Sequence, residues 1–513
     1  MNNYAYYKYL KFDGENFFTA VLLPQKNGKF PTVISRSPYV GNTVLESEDD
    51  ILKNYLTAFR RWLKRGYAIV FQHCRGTGKS TGDFVPYIYE REDGIALRKW
   101  VKEQCFFNGE LYLVGESYSA SAQYATAPFE KEIKGAIFEV QDSERYRLWY
   151  RNGQMRKGHA NWHFGLYKGK RGLPKSFNFA SFSTLPLAGL SEKALGEKAE
   201  DFEQMLFAAR PEDKFWSTRF GGGETKNAVA NANIPILLTT GYNDFYVGGV
   251  FKMWNQMSDQ TKNQSALLVS PYNHGDNPSG EQGLCFEKGK RRERFGEDYQ
   301  IDFFDNIRKG SPLPFKKGVI TYYRCFENRW EEDFYRTKTN QITLPLGDGE
   351  IFFSYDPLHP TSFYGEGAYA TENNPQDSFI RLFIKPSEKD IFVKGKIMLK
   401  LAVSSNCPDT SFYVRICLKN KGYSYILRHD ITSLSYSLKS FAPNEKVHLD
   451  FCFDEHAFLI KKDEFLQIDI TSTDYNTYVC HTNKKGEYSL QNETMIARNT
   501  VYLEDSSLII PVE

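Results

Sequence analysis

LYLVGESYSA, residues 111–120, is a short apolar run that breaks into Gly115-Glu116-Ser117-Tyr118-Ser119. The small, helix-compatible SASAQYATA follows, so the segment reads as strand, tight turn and helix. Its cadence is that of a nucleophile elbow, G-x-S-x-G, with serine at 119 in place of the second glycine. A tight turn needs small neighbours. Glycine at 115 fits, and serine is only slightly larger than the glycine it replaces. Ser117 is therefore a candidate nucleophile, although on five residues alone a plain turn serine is the simpler reading. The surrounding chain has to decide.

Around this segment strand and helix signals alternate. FFTAVLL (17–23), PTVISR (31–36), YAIVFQH (67–73) and GAIFEV (135–140) are short apolar runs. Between them, ILKNYLTAFRRWLKRG (51–66) and REDGIALRKWVKEQ (91–104) carry apolar residues at helical spacing. Such alternation predicts an α/β domain with a mostly parallel sheet, here 1–142. Residues 143–231 read as helices rich in charge and aromatics, without strand runs, and predict a helical cap. The sheet pattern resumes at 232–318 with IPILLTTG (234–241) and SALLVSP (265–271). From 319 to 513, GVITYYRC, GEIFFSYD, FIRLFIK, GKIMLKLAVSS, TSFYVRICLKN, KVHLDFCFD, FLQIDITS and SLIIPVE predict an all-β sandwich or jelly roll.

The bulk numbers set limits. At 513 residues the chain is too long for one ordinary core, and about two to four domains are expected. A formal charge of +2 gives no electrostatic case for nucleic acid or an anionic membrane as partner. The N-terminus lacks an apolar signal-peptide core, and no run approaches the roughly 18–20 apolar residues of a membrane span. Eight scattered cysteines without a CxxC pair argue against structural zinc and a disulfide framework, and fit reduced thiols in a cytoplasm. No cofactor or metal is expected. Aromatics are plentiful, with 33 Tyr and 40 Phe, which suits large cores or pockets for flat apolar ligands.

In an α/β sheet the loops leaving the C-terminal strand ends gather at one edge, where active groups sit. Besides the Ser117 turn, one such loop reads Gly241-Tyr242-Asn243-Asp244 and another Tyr272-Asn273-His274-Gly275. Ser117, Asp244 and His274 thus follow in the order serine, acid, histidine, which is the order of α/β-hydrolase triads. A serine hydroxyl needs an imidazole to take its proton, and the imidazole needs a carboxylate to fix its tautomer. Singly, Asp244 reads as a helix cap and His274 as a loop histidine. Jointly, the three positions predict a serine hydrolase.

With these segments in view, the chain resembles the X-prolyl dipeptidyl-peptidase/cocaine esterase family of serine hydrolases (CocE/NonD hydrolases, peptidase S15-like). The likeness is carried by SRSPYVGN (35–42), QHCRGTGKSTGDF (72–84), EREDGIALRKWV (90–101), FNGELYLVGESYSA (107–120), TTGYNDFYVGG (239–249), SPYNHG (270–275) and YYRCFENRWEE (322–332), in order and along essentially the whole chain. The resemblance implies an α/β-hydrolase fold with an inserted cap and a C-terminal jelly-roll (galactose-binding-like) domain. It implies Ser117 as nucleophile, Asp244 as orienting acid and His274 as base. It also implies an oxyanion hole made by the Tyr118 N–H and the phenol of Tyr39. Departures are Ser119 and Ala120 in the elbow, and Tyr242-Asn243-Asp244 where the family commonly has Trp-Tyr-Asp.

The substrate implied is a small ester, amide or peptide, cut by an acyl esterase or an X-Pro dipeptidyl-peptidase-like peptidase. Relatives that act on α-amino acyl groups hold the amine with extra carboxylates, whereas Phe245 and Tyr246 follow Asp244 here. Glu116 could serve as such a group, or be an ordinary elbow residue. Trp149, Trp162, Trp216 and Phe245 are candidates to line the pocket, together with His163, Phe164 and Phe215. The competing reading makes the cap residues the cap's own core. RGTGKSTGDF (75–84) is not a P-loop, because His73 stands where its first glycine is required. Two other readings remain open: an acyltransferase or cyclase passing the acyl group to an amine or alcohol, and a catalytically silent carbohydrate-binding scaffold. A homodimer is also left open.

Overall fold

The computed structural model describes residues 3–168, 177–278, 285–335, 340–363, 377–420 and 424–513. The alternating runs build one ten-stranded sheet. Its centre is parallel, in the spatial order Ala68–His73, Phe30–Ser37, Phe107–Glu116, Ile133–Glu139, Ile236–Gly241, Ala266–Ser270 and Ile320–Arg324. Parallel strands are covered on both faces and so read as unbroken apolar runs. Ile236–Gly241 and Ala266–Ser270 are buried throughout. The hairpin Tyr4–Phe12/Glu15–Leu23 adds antiparallel strands at one edge, and Arg329–Asp333 closes the other.

Strand order explains where the loops meet. From Phe30–Ser37 the chain steps outward to Ala68–His73, then back across to Phe107–Glu116. The C-terminal ends of Phe30–Ser37 and Phe107–Glu116 are therefore neighbours at a switch point, where the connections diverge and leave a crevice.

Two expectations need correction. Tyr4–Phe12 was not anticipated, because its tyrosine and lysine alternation looks polar, and only Leu10 in it is buried. The boundary expected at 318 falls short: Ile320–Arg324 pairs with Ala266–Ser270 and Arg329–Asp333 follows it, so the sheet runs to 333. An apolar run alone cannot say which sheet it joins.

Between 143 and 231 the described residues form short helices, including Arg145–Trp149, Lys157–Leu166, Leu190–Leu195 and Glu200–Leu206, plus an unforeseen ribbon, Tyr150–Arg151/Gln154–Met155. They share an aromatic core of their own around Phe164, Phe182 and Phe202. The C-terminal part holds two antiparallel sheets. In the five-stranded one, Ala497–Pro511 pairs with Gln341–Pro345, Glu350–Tyr355 and Met398–Ser405, and Val447–Cys452 lies beyond. The other runs Ile380–Ile384, Phe465–Thr471, Ser411–Lys419, Ser424–Ser433. Leu401 and Val501 of the first share one buried cluster with Ile416 and Ile468 of the second. Ser424–Ser433 escaped the sequence reading because His429 and Asp430 interrupt its apolar pattern. All eight cysteines are free thiols, and no described helix is long and apolar enough to cross a membrane.

The ribbon Tyr150–Arg151/Gln154–Met155 is pinned to the C-terminal sheets by charge. Arg151 grips Asp430 through two hydrogen bonds of 2.7 and 2.9 Å and reaches Asp454 at 3.3 Å. Both Arg151 and Asp430 are largely removed from water. Removing one partner of a buried pair strands the other charge, at a cost of about 3–5 kcal/mol. Arg151→Met should lower the melting temperature by several degrees, and adding Asp430→Leu should restore part of the loss, read by scanning fluorimetry. A single variant that melts like wild type would show that the pair contributes nothing.

Candidate active site

The elbow is present in the backbone. Ser117 stands between the strand Phe107–Glu116 and the helix Tyr118–Tyr124 with φ 54° and ψ −128°. A β-carbon at Gly115 would come within 2.4 Å of the Ser119 backbone, so glycine is obligatory there. Ser119 is tolerated because it lines the cavity above the turn. The Ser117 N–H donates to the Glu139 carbonyl at 3.0 Å, tying the elbow to the adjacent strand.

Asp244 and His274 come together from their separate strand ends. His274 Nδ1 lies 3.2 Å from Asp244 Oδ1, and a carboxylate there requires the proton on Nδ1. Asp244 is buried, and it also accepts from the Tyr246 N–H at 3.1 Å and the Thr240 hydroxyl at 3.3 Å. The acid loop is clamped from the C-terminal sheets. Arg428 donates to the Tyr242 carbonyl at 2.6 Å, Asn243 donates to the Tyr425 hydroxyl at 2.5 Å, and the Tyr242 ring stacks on His456. Phe245 stacks on the His274 imidazole with centroids 5.1 Å apart.

Tyr39 follows Pro38 off the end of Phe30–Ser37, and its hydroxyl sits 3.5 Å from Ser117 Oγ. Burial of that hydroxyl pushes the phenol's pKa up, while Ser117, the Trp162 indole and the Tyr118 backbone pull it back by hydrogen bonding. The phenol thus keeps its proton at neutral pH and stays a donor. Behind it lies a buried network. Arg36 donates to Glu90 Oε2 at 2.7 Å and to Gln72 at 3.1 Å, and Glu90 Oε1 accepts the Tyr118 hydroxyl at 2.8 Å. The Tyr118 oxygen in turn accepts the Tyr87 N–H at 2.7 Å.

Ser117, Tyr39, Tyr118 and His274 face one cavity of about 760 Å³. Trp162 and Phe245 line it as well. Trp149 and Trp216 do not: Trp149 packs edge-on against His159 and Phe202, and Trp216 donates its indole N–H to the Ala208 carbonyl, both within the cap's core. Phe164 lies in that core too, with Phe215 packed against it, and the buried His163 ring contacts Trp149 and Phe202. Helical spacing of aromatics does not distinguish a wall from an interior. Glu116 is exposed and borders the cavity beside Ser117.

Several wall residues were missed. Arg156 and His159 come from the helical segment, His429 from the strand Ser424–Ser433, and Asn476 and Thr477 from the turn that follows Phe465–Thr471. No sequence signal marks the last three, since only the docking of the domains brings them here. His159 is held well below the usual histidine range, first by burial and then by the nearby His163 and Arg156. Among the described residues no group of three or more His, Cys, Asp or Glu is placed to hold a metal ion.

Comparisons with known proteins fit this geometry. A family model described as X-Pro dipeptidyl-peptidase (S15 family) matches residues 13–276, a span that includes Ser117, Asp244 and His274. Cocaine esterase from Rhodococcus sp. (strain MB1 Bresler) is 24% identical over 476 residues, covering 79% of this chain and 78% of that protein. Among solved structures, an α-amino acid ester hydrolase labelled with selenomethionine aligns with a TM-score of 0.81 at 18% identity, over 100% of this chain and 97% of its own. An aminopeptidase from the marine sediment archaeon Thaumarchaeota archaeon gives 0.81 at 16% identity, over 100% and 96%. At such identities these two structures speak for the fold, an α/β core with many added β-strands. The family match covers more than half of the chain, and the chain belongs to the X-Pro dipeptidyl-peptidase (S15) family of serine hydrolases.

Proposed function

We propose that the chain cleaves small ester or amide substrates through a covalent acyl-enzyme on Ser117. His274 takes the Ser117 proton as the serine oxygen attacks the substrate carbonyl, and Asp244 holds the imidazole in the required tautomer and stabilises its charged form. The Tyr118 N–H and the Tyr39 O–H donate to the developing oxyanion. His274 then protonates the leaving group, and water releases the acyl group by the same steps in reverse. The observation that carries this reading is the Tyr39 hydroxyl facing Ser117 Oγ across 3.5 Å, on a cavity shared with the Asp244–His274 pair.

Substrate choice follows from the wall. Where an amine-binding relative would need carboxylates after the acid, Phe245 is committed to the His274 ring and Tyr246 is buried beside it. Trp162, Leu148 and Phe245 give the cavity an apolar lining suited to an acyl group of moderate size. This favours an esterase over an aminopeptidase-type activity. In our reading the α/β-hydrolase part runs through 1–142 and 232–333, residues 143–231 form its cap, and the C-terminal sheets are a jelly roll (galactose-binding-like) that serves as one wall of the cavity rather than as a carbohydrate reader.

A fluorophosphonate probe should label Ser117, and labelling should vanish in Ser117→Ala; a label that persists there would place the nucleophile elsewhere. Tyr39→Phe removes one donor of the oxyanion pair and should lower kcat by about 10²-fold or more with little change in KM. Turnover of p-nitrophenyl esters at the wild-type rate in that variant would take Tyr39 out of the mechanism. Side by side, p-nitrophenyl esters should be cut faster than aminoacyl or X-Pro amides, and the reverse order would assign the chain to peptides.

A further inference from the structure

The cap stretch RYRLWYRNGQMR carries four arginines, at 145, 147, 151 and 156. Three are engaged. Arg145 donates to the carbonyls of Phe220 at 2.7 Å and Tyr87 at 2.9 Å. Arg147 pairs with Asp142 at 2.9 Å, and Arg151 with Asp430 and Asp454. Arg156 is different. Among the described residues its side chain makes no ion pair and no hydrogen bond, and its Nε is closed off from solvent without an acceptor. Yet the residue lines the cavity that holds Ser117.

A partly desolvated guanidinium without a counter-charge is costly, and an incoming anion relieves that cost. Asp244 and Asp454 border a smaller void with Arg156 but are engaged by His274, the Tyr246 N–H, Arg147 and Arg151, and on the cavity side the task is left to a ligand. Leu148, Trp162 and Tyr246 offer no negative charge, and His159 is held neutral. Glu116 is the only carboxylate among the described residues lining the cavity, and it stands next to the nucleophile, where it repels an anion from the scissile bond. Arg156 belongs to the cap instead. A planar guanidinium with free Nη groups matches a carboxylate in a two-pronged, charge-assisted contact.

We propose that Arg156 is a substrate-binding residue that selects esters or amides bearing a second, anionic group, a carboxylate, remote from the carbonyl under attack. This rests on the serine hydrolase reading above. It refines the apolar acyl pocket: the substrate is an apolar spacer with a charged end.

The test compares matched pairs of esters. Mono-p-nitrophenyl adipate against p-nitrophenyl hexanoate puts the carboxylate on the acyl half, and 4-acetoxybenzoate against phenyl acetate puts it on the leaving half. In the wild-type protein one carboxylate ester should exceed its neutral partner by about tenfold or more in kcat/KM, with the difference in KM, and the responding pair tells which half enters the cap. Arg156→Gln should abolish that preference, and Arg156→Lys should keep part of it. Equal or reversed preference in wild type, with turnover that depends on Ser117, overturns this inference and leaves the hydrolase reading standing. A preference unchanged in Arg156→Gln also overturns it, and would leave Arg156 only as a counter-charge to Asp244, with which it borders a smaller void. Absence of any Ser117-dependent turnover defeats both readings. Should Arg156→Gln fail to fold, hexanoate and hexan-1-ol can be compared as competitive inhibitors of wild type. The carboxylate should bind about tenfold more tightly, and equal inhibition overturns the proposal.

Discussion

One buried carboxylate holds the two halves of the site together. Glu90 accepts the Arg36 guanidinium on one oxygen and the Tyr118 hydroxyl on the other. Arg36 lies on the strand Phe30–Ser37, which ends two residues before Tyr39, and Tyr118 is the first residue after Ser117. Strand end and elbow are therefore tied through a single group sealed from water. Ions are buried only when matched, and a matched buried pair resists displacement because separating it exposes both charges to an apolar surrounding. The close positioning that the proposed oxyanion site would require is thus supported by electrostatics beneath the cavity floor.

How legible this was in the sequence depends on how local each signal is. Ser117, Asp244 and His274 could be picked out as candidates because each follows closely on an apolar strand, and strand ends in an α/β sheet share an edge. The cap and the β-rich C-terminal part were legible as changes of period. The limit at 318 was not, because Ile320–Arg324 is as apolar as a strand of either sheet, and only its parallel pairing with Ala266–Ser270 assigns it. Trp149 and Trp216 look like Trp162 in sequence. Which indole faces the cavity is settled by the rotation of short helices and by partners such as the Ala208 carbonyl, none of which is encoded within a few residues. Tyr39 came only through family resemblance, since one tyrosine among 33 carries no mark of its own.

The acid loop shows the same dependence on distant parts. Gly241-Tyr242-Asn243-Asp244 leaves an α/β strand, but its carbonyl, amide and ring are held by Arg428, Tyr425 and His456 from the far end of the chain. The orientation of Asp244, and through it the tautomer of His274, thus rests on contacts made across the domain junction. Tyr242 stacks flat on His456, and Asn243 spans from the Pro271 carbonyl to the Tyr425 hydroxyl.

The strand Ala497–Pro511 pairs with three other strands of its sheet, two of which begin more than a hundred residues earlier. It is also the last of them to leave the ribosome. Until it arrives, the sheet that backs Ser424–Ser433 has no centre, and the loop bearing the acid has no firm anchor. Folding order and the proposed chemistry are thereby coupled: Ser117, the proposed nucleophile, is made early, while the parts that hold Asp244 are secured only after residues 497–511 have been added.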